Sequence, residues 1–397
     1  MKKSFFLIFT TIAAVVLCFS ATVFGENGIT DTEIHIGSWG PQTGPAAAWG
    51  SVPRSIDAYF QMINAEGGIH GRKVIYHHFD DGYNPARTKA GVKQLQESDH
   101  GIFAWVSGVG TAPGLAVKDY LMSNKVPWVG PATGSPAWTN PPSKYLFAIF
   151  PQYTVEAKIL ARYAATDLKK ERIAVVYQND EYGKAGLRGV EEELALLGKT
   201  VVAKIPQNVS DTDMKPIIMK LRQENADNVL MWVSPSAVVR IMGTAKQLQF
   251  EPQWMSTSTC SDFPLMYQIS RGVIEGLITA SFGLTVDSKS ALLDKYKRDA
   301  FDKYAPKQER WGLFWFAGIG FMESSVVAMK NAGRDLTRER FVQEMEKIKD
   351  FQGILGKTTF KPFDANDPSS RQGQNSVFLV QCLKDAKYKF LTDWMTE

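Results

Sequence analysis

A glycine-rich segment from Ser107 to Val117 contains the first residues that could bind a ligand. It reads SGVGTAPGLAV, follows the apolar run GIFAWV and precedes a helical pattern. A dinucleotide-binding loop requires G-x-G-x-x-G with an acidic residue about 20 positions later. Here the third glycine, Gly114, comes one residue late, and the next apolar run, VPWVGPA, has no acidic residue. The segment therefore fails as a nucleotide loop, and we expect no cofactor.

The same segment could hold an anion at the start of a helix. Thr111 is a candidate N-cap, with Ala112 and Pro113 opening the helix. The first N–H groups of a helix lack intrahelical partners, and together with the helix dipole they attract negative charge by about 0.3–1 kcal/mol at an exposed site. Two interpretations stay open: a site for a ligand carboxylate, or a tight turn before an ordinary capped helix.

A second candidate is the loop PATGSPAWT, which follows the apolar run VPWVG. Its small residues Ala132, Thr133, Gly134 and Ser135 would let a ligand approach the backbone, and Thr133 and Ser135 add hydroxyl groups. A polar surface loop is the alternative.

Two aromatic–glycine pairs also precede predicted helices. They are Trp49-Gly50, after GPQTGPAAA, and Tyr182-Gly183, after QNDE. If the pairs occupy matching points of two lobes, the rings would close on a ligand from both sides. The alternative is that each ring packs on its own neighbours.

Motifs for catalysis and metal binding are missing from the sequence. It has no G-x-S-x-G, H-E-x-x-H or C-x-x-C motif. His77 and His78 are adjacent in a predicted strand, so their side chains point to opposite faces and do not easily share one ion. Asp80 and Asp81 end the same strand. We interpret these residues as a strand-end cluster and expect neither an enzyme nor a metal site.

The N-terminus has the pattern of a secretory signal peptide. Lys2 and Lys3 precede an apolar run from residue 5 to residue 19, and Gly25 offers a cleavage point. Leu17 is bulky for a position before a lipidated cysteine, so we favour simple cleavage over lipidation of Cys18. The prediction is a signal peptide over residues 1–25 and a periplasmic protein. No later run is expected to span a membrane.

Composition and charge describe an ordinary globular chain. The 397 residues are 44% hydrophobic and 22% charged, enough for two domains or more. Removing residues 1–25 lowers the net charge from +4 to +2, which argues against a nucleic-acid partner. Cys260 and Cys382 could pair in an oxidising compartment, but two cysteines do not make a disulfide scaffold.

Apolar runs alternate with helical patterns, which predicts βαβ units and parallel sheets. In the first half the predicted strands cover 33–39, 73–79, 101–107 and 126–132, with helices at 54–64, 85–97 and 113–123. In the second half the strands cover 172–178, 200–206, 228–234 and 253–259, with helices at 184–197, 214–225 and 236–248. The remainder predicts strands at 276–282, 376–383 and 388–393 and helices at 288–304, 311–331 and 336–346.

The two halves are related in sequence. Seven residues recur at an offset of 127: Gly71, Val74, Lys93, Glu97, Trp105, Val106 and Ser107 reappear as Gly198, Val201, Lys220, Glu224, Trp232, Val233 and Ser234. With the same order of elements, this predicts two similar α/β lobes that share the C-terminal part of the chain. Ligands of open parallel sheets bind beyond the carboxyl ends of the strands.

With these loops placed, the sequence resembles the leucine/isoleucine/valine-binding protein family, the periplasmic receptors of branched-chain amino acid ABC importers. The motifs are TGPAAAWG, INAEGGIHGRKV, FDDGYNPARTKAGVKQL, VGPATGSPAWT and RIAVVYQNDEYGKAG, in family order. The resemblance implies two Rossmann-like parallel-sheet lobes, a three-stranded hinge and a cleft that closes on a ligand. We expect lobe 1 to comprise residues 26–150 and 280–356, and lobe 2 residues 151–279 and 357–397.

The resemblance also implies roles for individual residues. Thr111 corresponds to a hydroxyl that holds the ligand carboxylate, and Ala132 to a backbone contact. Trp49 and Tyr182 correspond to aromatic walls, one in each lobe, and Trp311 lies near a further aromatic wall. The implied partners are a small carboxylate or amino acid and an ABC transporter permease, and we expect a monomer.

Other positions depart from the family pattern. The family's ammonium-binding glutamate corresponds to Ser258, a threonine that helps hold the ammonium to Gly134, and a tyrosine of the second lobe to Ser234. The family's cystine is missing, with Tyr83 and Gly110 in its place.

These departures bear on the ligand, because a buried ammonium without its carboxylate costs several kcal/mol. The sequence thus favours a carboxylate without an amine, aromatic or branched, over a branched-chain amino acid, unless Asp262 replaces the missing glutamate. Two other classes remain open: an extracytoplasmic sensor that uses the same two lobes, and a secreted enzyme.

Overall fold

Two mainly parallel β-sheets form the frame of the protein. A computed structural model describes residues 26–397. The predictions for residues 1–25, namely the signal peptide and the state of Cys18, lie outside the described residues.

The first sheet has five parallel strands in the order β2-β1-β3-β4-β5. Helices follow the first three strands and cover the sheet, as expected for βαβ units. The strands are β1 (Glu33–Trp39), β2 (Lys73–Phe79), β3 (Ala104–Val106), β4 (Trp128–Val129) and β5 (Leu146–Phe147). The helices are α1 (Ser51–Ala65), α2 (Pro85–Gln96) and α3 (Thr111–Ser123).

The second sheet has seven strands in the order β14-β13-β10-β9-β8-β6-β7, in which β13 runs antiparallel to both of its neighbours, β10 and β14. Its strands are β6 (Ile173–Gln178), β7 (Ala203–Gln207), β8 (Asn228–Trp232), β9 (Gln253–Ser256), β10 (Ile278–Ser281), β13 (Phe378–Cys382) and β14 (Tyr388–Phe390). Its helices are α4 (Tyr153–Thr166), α5 (Glu181–Leu196), α6 (Lys215–Gln223), α7 (Pro235–Gln247) and α8 (Phe263–Ser270). The order β7-β6-β8-β9 repeats β2-β1-β3-β4, which confirms two similar α/β lobes.

The segment between β10 and β13 packs on the first sheet through α1. It contains α9 (Ala291–Tyr296), α10 (Asp302–Tyr304), α11 (Leu313–Gly320), α12 (Glu323–Ala332), α13 (Arg338–Glu346) and the hairpin of β11 (Phe351–Gly353) and β12 (Gly356–Thr358). A π-helical turn, Lys297–Phe301, joins α9 to α10.

The helix predicted over 311–331 is two helices, α11 and α12. The break between them lets the Phe321 ring stack on Phe282, with centroids 5.9 Å apart, and on Phe150 at 5.7 Å. The combined stretch Leu313–Ala332 is long and apolar enough to cross a membrane, contrary to our expectation for this part of the sequence. Since 89% of this apolar stretch is buried inside the protein, it fits the core helices of this fold.

The chain passes between the two sheets three times: after β5, after β10 and before β13. Hydrogen bonds tie the crossings together. Ala148 N donates to Arg371 O at 2.9 Å, Gly373 N donates to Ala148 O at 2.8 Å, and Leu284 N donates to Ile354 O at 3.0 Å. The exact limits of the two lobes stay a prediction. Cys260 and Cys382 are both buried free thiols, so the pairing that the sequence left open is not formed.

Two helix-interior glycines allow a matched test of the packing. A Cβ added at Gly186 in α5 would lie 2.1 Å from the Trp232 indole, whereas one added at Gly243 in α7 would meet nothing within 4 Å. Both Gly→Ala changes gain helix propensity, about 0.5–1 kcal/mol. We expect Gly243→Ala to raise the free energy of unfolding and Gly186→Ala to lower it by about 1–3 kcal/mol because of overpacking. Urea unfolding measures both, and equal effects would contradict this packing.

Candidate functional site

A cavity lies between the two lobes, at the carboxyl ends of strands from both sheets. Its empty volume is about 460 Å³, including solvent at its mouth. None of the 15 described residues that line it carries a charged side chain. They are Ala46, Trp49, Tyr83, Val109, Gly110, Thr111, Ala132, Thr133, Tyr153, Gln178, Tyr182, Val209, Ser234, Pro235 and Thr259.

Three helix N-termini point towards this cavity. Thr111 begins α3 after β3, Tyr182 lies in the first turn of α5 after β6, and Ser234 precedes α7 after β8. Parallel strands with crossover helices place every such helix start at the same edge of the sheet. The repeat of strand order therefore brings equivalent helix starts together from both lobes.

The helix starts differ in how they are capped. Asp180 Oδ1 accepts from Tyr182 N at 3.0 Å and from Gly183 N at 3.2 Å, which caps α5. Ser234 Oγ accepts from Ala237 N at 3.4 Å and caps α7. No side chain caps α3. Of the three starts, α3 alone leaves its first amides without a side-chain acceptor.

The N-cap of α3 is Gly110, not Thr111 as the sequence predicted. Gly110 has φ +102°, and a Cβ there would lie 2.5 Å from the Tyr83 ring, so the chain turns at a glycine and the helix begins one residue later. Thr111 is thereby free to use its hydroxyl elsewhere. Its Oγ1 lies 2.5 Å from Thr133 Oγ1, and both side chains are buried.

Trp49 and Tyr182 both line the cavity and meet at Thr259. Trp49 Nε1 donates to Thr259 O at 3.3 Å, and the Tyr182 hydroxyl is 2.7 Å from Thr259 Oγ1. The Trp49 ring stacks on Phe314 with centroids 4.5 Å apart, and Tyr182 packs edge-on against Tyr153 at 5.0 Å. One predicted ring from each lobe thus forms a wall of the same cavity.

Further hydrogen bonds join the lobes around the cavity. Ser236 Oγ donates to Pro45 O at 2.8 Å, and Gln178 Nε2 donates to the Tyr83 hydroxyl at 3.4 Å. Together with the Trp49 bond, they show the lobes in a closed arrangement.

Four of the predicted site residues do not line the cavity. Gly134 packs against the crossing after β5, since a Cβ there would lie 2.0 Å from Pro151 O. Ser135 accepts from Ala137 N at 3.3 Å and caps a short 3₁₀ helix. Trp311 packs on Phe301 and Phe316, with centroids 5.5 Å and 5.2 Å away. The fourth is Ser258.

Ser258 is held by a buried carboxylate. Glu156 in α4 accepts from Ser258 N through Oε1 and from Ser258 Oγ through Oε2, both at 2.6 Å. Burial raises the pKa of Glu156 to about 7, although these hydrogen bonds oppose the shift. A carboxylate therefore lies next to Ser258, but both of its oxygens are used by the protein.

Asp262 does not replace the missing glutamate in this arrangement. Its Oδ1 accepts from Leu265 N at 3.2 Å and its Oδ2 from Phe314 N at 2.9 Å, so it caps α8 and anchors α11. Burial raises the pKa of Asp262 above its usual range.

Several lining residues were not predicted. Gln178 ends β6, and Thr259 follows β9, so the rule that ligands bind beyond strand ends could have identified both. Tyr83 sits in a turn with φ +60°, which the sequence did not indicate. Tyr153 begins α4, a helix that the sequence pattern did not predict.

The chain is similar to known proteins over most of its length. Residues 33–387 match the family model described as periplasmic binding protein. The leucine-specific-binding protein of Salmonella typhimurium is 21% identical over 92% of this chain and 94% of its own length. Leu/Ile/Val-binding protein homolog 3 of Brucella melitensis is 28% identical over 54% of this chain, a match that spans only 57% of that protein.

Solved structures share the fold. A fatty acid ABC transporter substrate-binding protein from Thermomonospora curvata superposes with a TM-score of 0.83 at 22% identity, covering 94% of each chain. A branched-chain amino acid ABC transporter protein from Thermus thermophilus with bound valine has a TM-score of 0.82 at 17% identity, covering 93% of this chain and 98% of its own. These similarities confirm the predicted two-lobed fold.

The buried Glu156 predicts a pH dependence of stability. Its pKa is raised from 4.5 in the unfolded chain to about 7 in the folded protein. The folded state therefore binds the proton more tightly, and this contribution, about 3 kcal/mol, is present below pH 4.5 and is lost as the pH rises through about 7. We expect the melting temperature to fall between about pH 5 and about pH 8, and to fall less in Glu156→Gln.

Glu171→Gln, a change at an exposed residue, is the control for this experiment. Differential scanning fluorimetry across the pH range gives the profiles. A Glu156→Gln profile that parallels the wild type would contradict the assignment.

Proposed function

The chain belongs to the periplasmic binding protein family, and from this membership we propose that it delivers a small carboxylate without an amine to an ABC importer. The family is one of substrate-binding proteins rather than of enzymes. The observation that carries the proposed ligand class is the closed cavity, which has an uncapped helix start and, within residues 26–397, no charged side chain in its lining.

The ligands named for the relatives share one chemical feature. Leucine, valine and fatty acids each have a carboxylate attached to an apolar group. The cavity of this protein offers matching surfaces: free amides at α3 and the rings of Trp49, Tyr153 and Tyr182. A carboxylate with a branched or aromatic tail suits both.

An ammonium group would have no anionic partner in the cavity. The acidic side chains on the segments around it already accept hydrogen bonds from the protein: Asp180 at the start of α5, Glu156 at Ser258 and Asp262 at α8. Burying an unpaired cation costs several kcal/mol, more than the polar hydroxyls of this cavity would recover. This favours ligands that lack the amine.

In this proposal the carboxylate binds at the start of α3. The first amides of that helix, the hydroxyls of Thr111 and Thr133, and the backbone at Ala132 would all contact it. Anions at such helix starts are stabilised by about 0.3–1 kcal/mol when exposed and by up to about 2 kcal/mol when partly buried. The capped starts of α5 and α7 have no comparable free donors for it.

Closure of the lobes would couple binding to transport. A ligand that touches α3 and Trp49 on one lobe and Tyr182 on the other gains contacts only in the closed state, so it shifts the population towards that state. The closed form would dock on the permease. In this proposal the lobes are residues 26–150 with 280–356 and residues 151–279 with 357–397, and the mature monomer works in the periplasm after cleavage near Gly25.

A screen with matched pairs tests the ligand class. Each pair shares a carbon skeleton and differs by the amine: leucine with 4-methylpentanoate, and phenylalanine with 3-phenylpropanoate. A ligand at 100 times its Kd adds about 2.7 kcal/mol to the free energy of unfolding. We expect the amine-free member of at least one pair to raise the melting temperature and its amino acid to do so much less. Leucine as the only strong stabiliser would refute the proposal.

Substitutions in the cavity test the site. For the best stabiliser from that screen, we expect Trp49→Ala and Thr111→Val each to weaken binding by about tenfold, or about 1.4 kcal/mol, without unfolding the protein. Trp311→Phe is the control, because Trp311 does not line the cavity. Isothermal titration calorimetry measures the affinities. Unchanged affinity in both cavity variants would show that the ligand binds elsewhere.

A further inference from the structure

Three of the five histidines converge on the first sheet, away from the cavity. They are His35 on β1, His77 on β2 and His100 in the loop before β3. Their ring centroids are 4.6 Å apart for His35 and His100, and 5.2 Å apart for each of the other two pairs. None of the three lines the cavity.

The strand register explains how the sequence brings these rings together. Gly37 is the partner of His77 across β1 and β2, so His35 and His77 project from the same face of the sheet. His78 projects from the other face and stacks on Tyr76, with centroids 5.2 Å apart. His77 and His78 therefore do not share a site. The imidazoles close to His77 are those of His35 and His100, on other segments.

The ring nitrogens are close enough to bind one ion. One nitrogen from each ring lies within 4.8 Å of those of the other two, and His35 Nδ1 is 2.9 Å from His77 Nε2. Zinc–nitrogen bonds of about 2.0–2.1 Å place tetrahedral ligand atoms roughly 3.3 Å apart. The three rings are stacked with interplanar angles of 15°, 19° and 16°, so their side chains must rotate before the three in-plane lone pairs can point at one ion.

The carboxylate of Glu33 lies beside the buried ring of His35. His35 Nε2 lies 3.2 Å from Glu33 Oε2, but it makes no aligned hydrogen bond in the described chain. A metal-binding histidine usually donates its second ring N–H to a carboxylate, which fixes its tautomer and orientation. Glu33 Oε2 is within reach of the Nε2–H of His35 when Nδ1 binds an ion.

Access also suits a metal. His35 is buried, His77 half-buried and His100 exposed. An ion can therefore enter from solvent, and water can complete its coordination.

We propose that His35, His77 and His100 form a binding site for one divalent transition-metal ion, with Glu33 orienting His35. Three imidazole nitrogens suit Zn²⁺, Ni²⁺ and Cu²⁺ and disfavour Mg²⁺ and Ca²⁺, which prefer oxygen ligands. The site lies on lobe 1 and is independent of the proposed solute, so either proposal can fail alone.

Titration of the untagged mature protein with ZnCl₂, after dialysis against a chelator, tests this site. We expect one Zn²⁺ per chain with a Kd below about 10 µM by calorimetry. Substitution with Co²⁺ should give the visible absorption of a low-coordinate site. Less than one equivalent bound, or a Kd above about 1 mM, would overturn the proposal.

Histidine variants locate the ion. His100→Ala changes an exposed residue and should keep the fold while weakening Zn²⁺ binding at least tenfold, and His77→Ala should do the same. His78→Ala and His70→Ala are matched controls that should bind Zn²⁺ as the wild type does. Equal losses in all four variants, or none in His100→Ala, would exclude this site. His100→Ala should leave the response to the carboxylate probes unchanged.

Discussion

A closed cavity must satisfy every polar group that it buries. In this protein the lobes meet through Trp49, Ser236 and Gln178, and none of the described residues that line the cavity between them is charged. The carboxyl groups of Asp180, Glu156 and Asp262 near it accept hydrogen bonds from amides or hydroxyls of the protein itself. Among the helix starts that follow β3, β6 and β8, that of α3 alone lacks a side-chain cap, and the proposed preference for an anion rests on this difference.

The duplication of strand order makes such a site possible. Each lobe presents helix starts at the same edge of its sheet, so two lobes facing each other oppose several helix dipoles across one gap. If all were free, the gap would be strongly electropositive. Asp180 and Ser234 cap the starts of α5 and α7 in the second lobe, whereas the start of α3 in the first lobe has no side-chain cap.

Much of the fold could be predicted from the sequence, because alternation of apolar strands and amphipathic helices is a local signal. The strands β1 and β2 were predicted to the residue, and the helix and strand order of both lobes is confirmed. The pattern missed α4, α8, β5 and the hairpin of β11 and β12. The strands β4 and β5 have only two residues each, which is too few to show a periodicity. The helix α4 joins the lobes and buries residues on several sides, so it has no single apolar face.

The candidate site was harder to predict because side-chain direction depends on tertiary contacts. Thr111, Trp49 and Tyr182 follow strands at the predicted edge, and they line the cavity. Ser258 and Gly134 follow strands too, yet Glu156 and Pro151 occupy the space that they face. The cluster of His35, His77 and His100 joins residues up to 65 positions apart, and only strand register brings them together.

The chain crosses between its sheets three times, and this has a consequence for biosynthesis. The helix α1 on the first sheet is covered only after α11, at residues 313–320, has been made. The second sheet is complete only after β13 and β14, which end at residue 390. The first half therefore completes its core earlier in synthesis than the second half, whose sheet lacks β13 and β14 until those strands have been made. In a chain of this topology, segments made early stay without their final packing partners during much of synthesis.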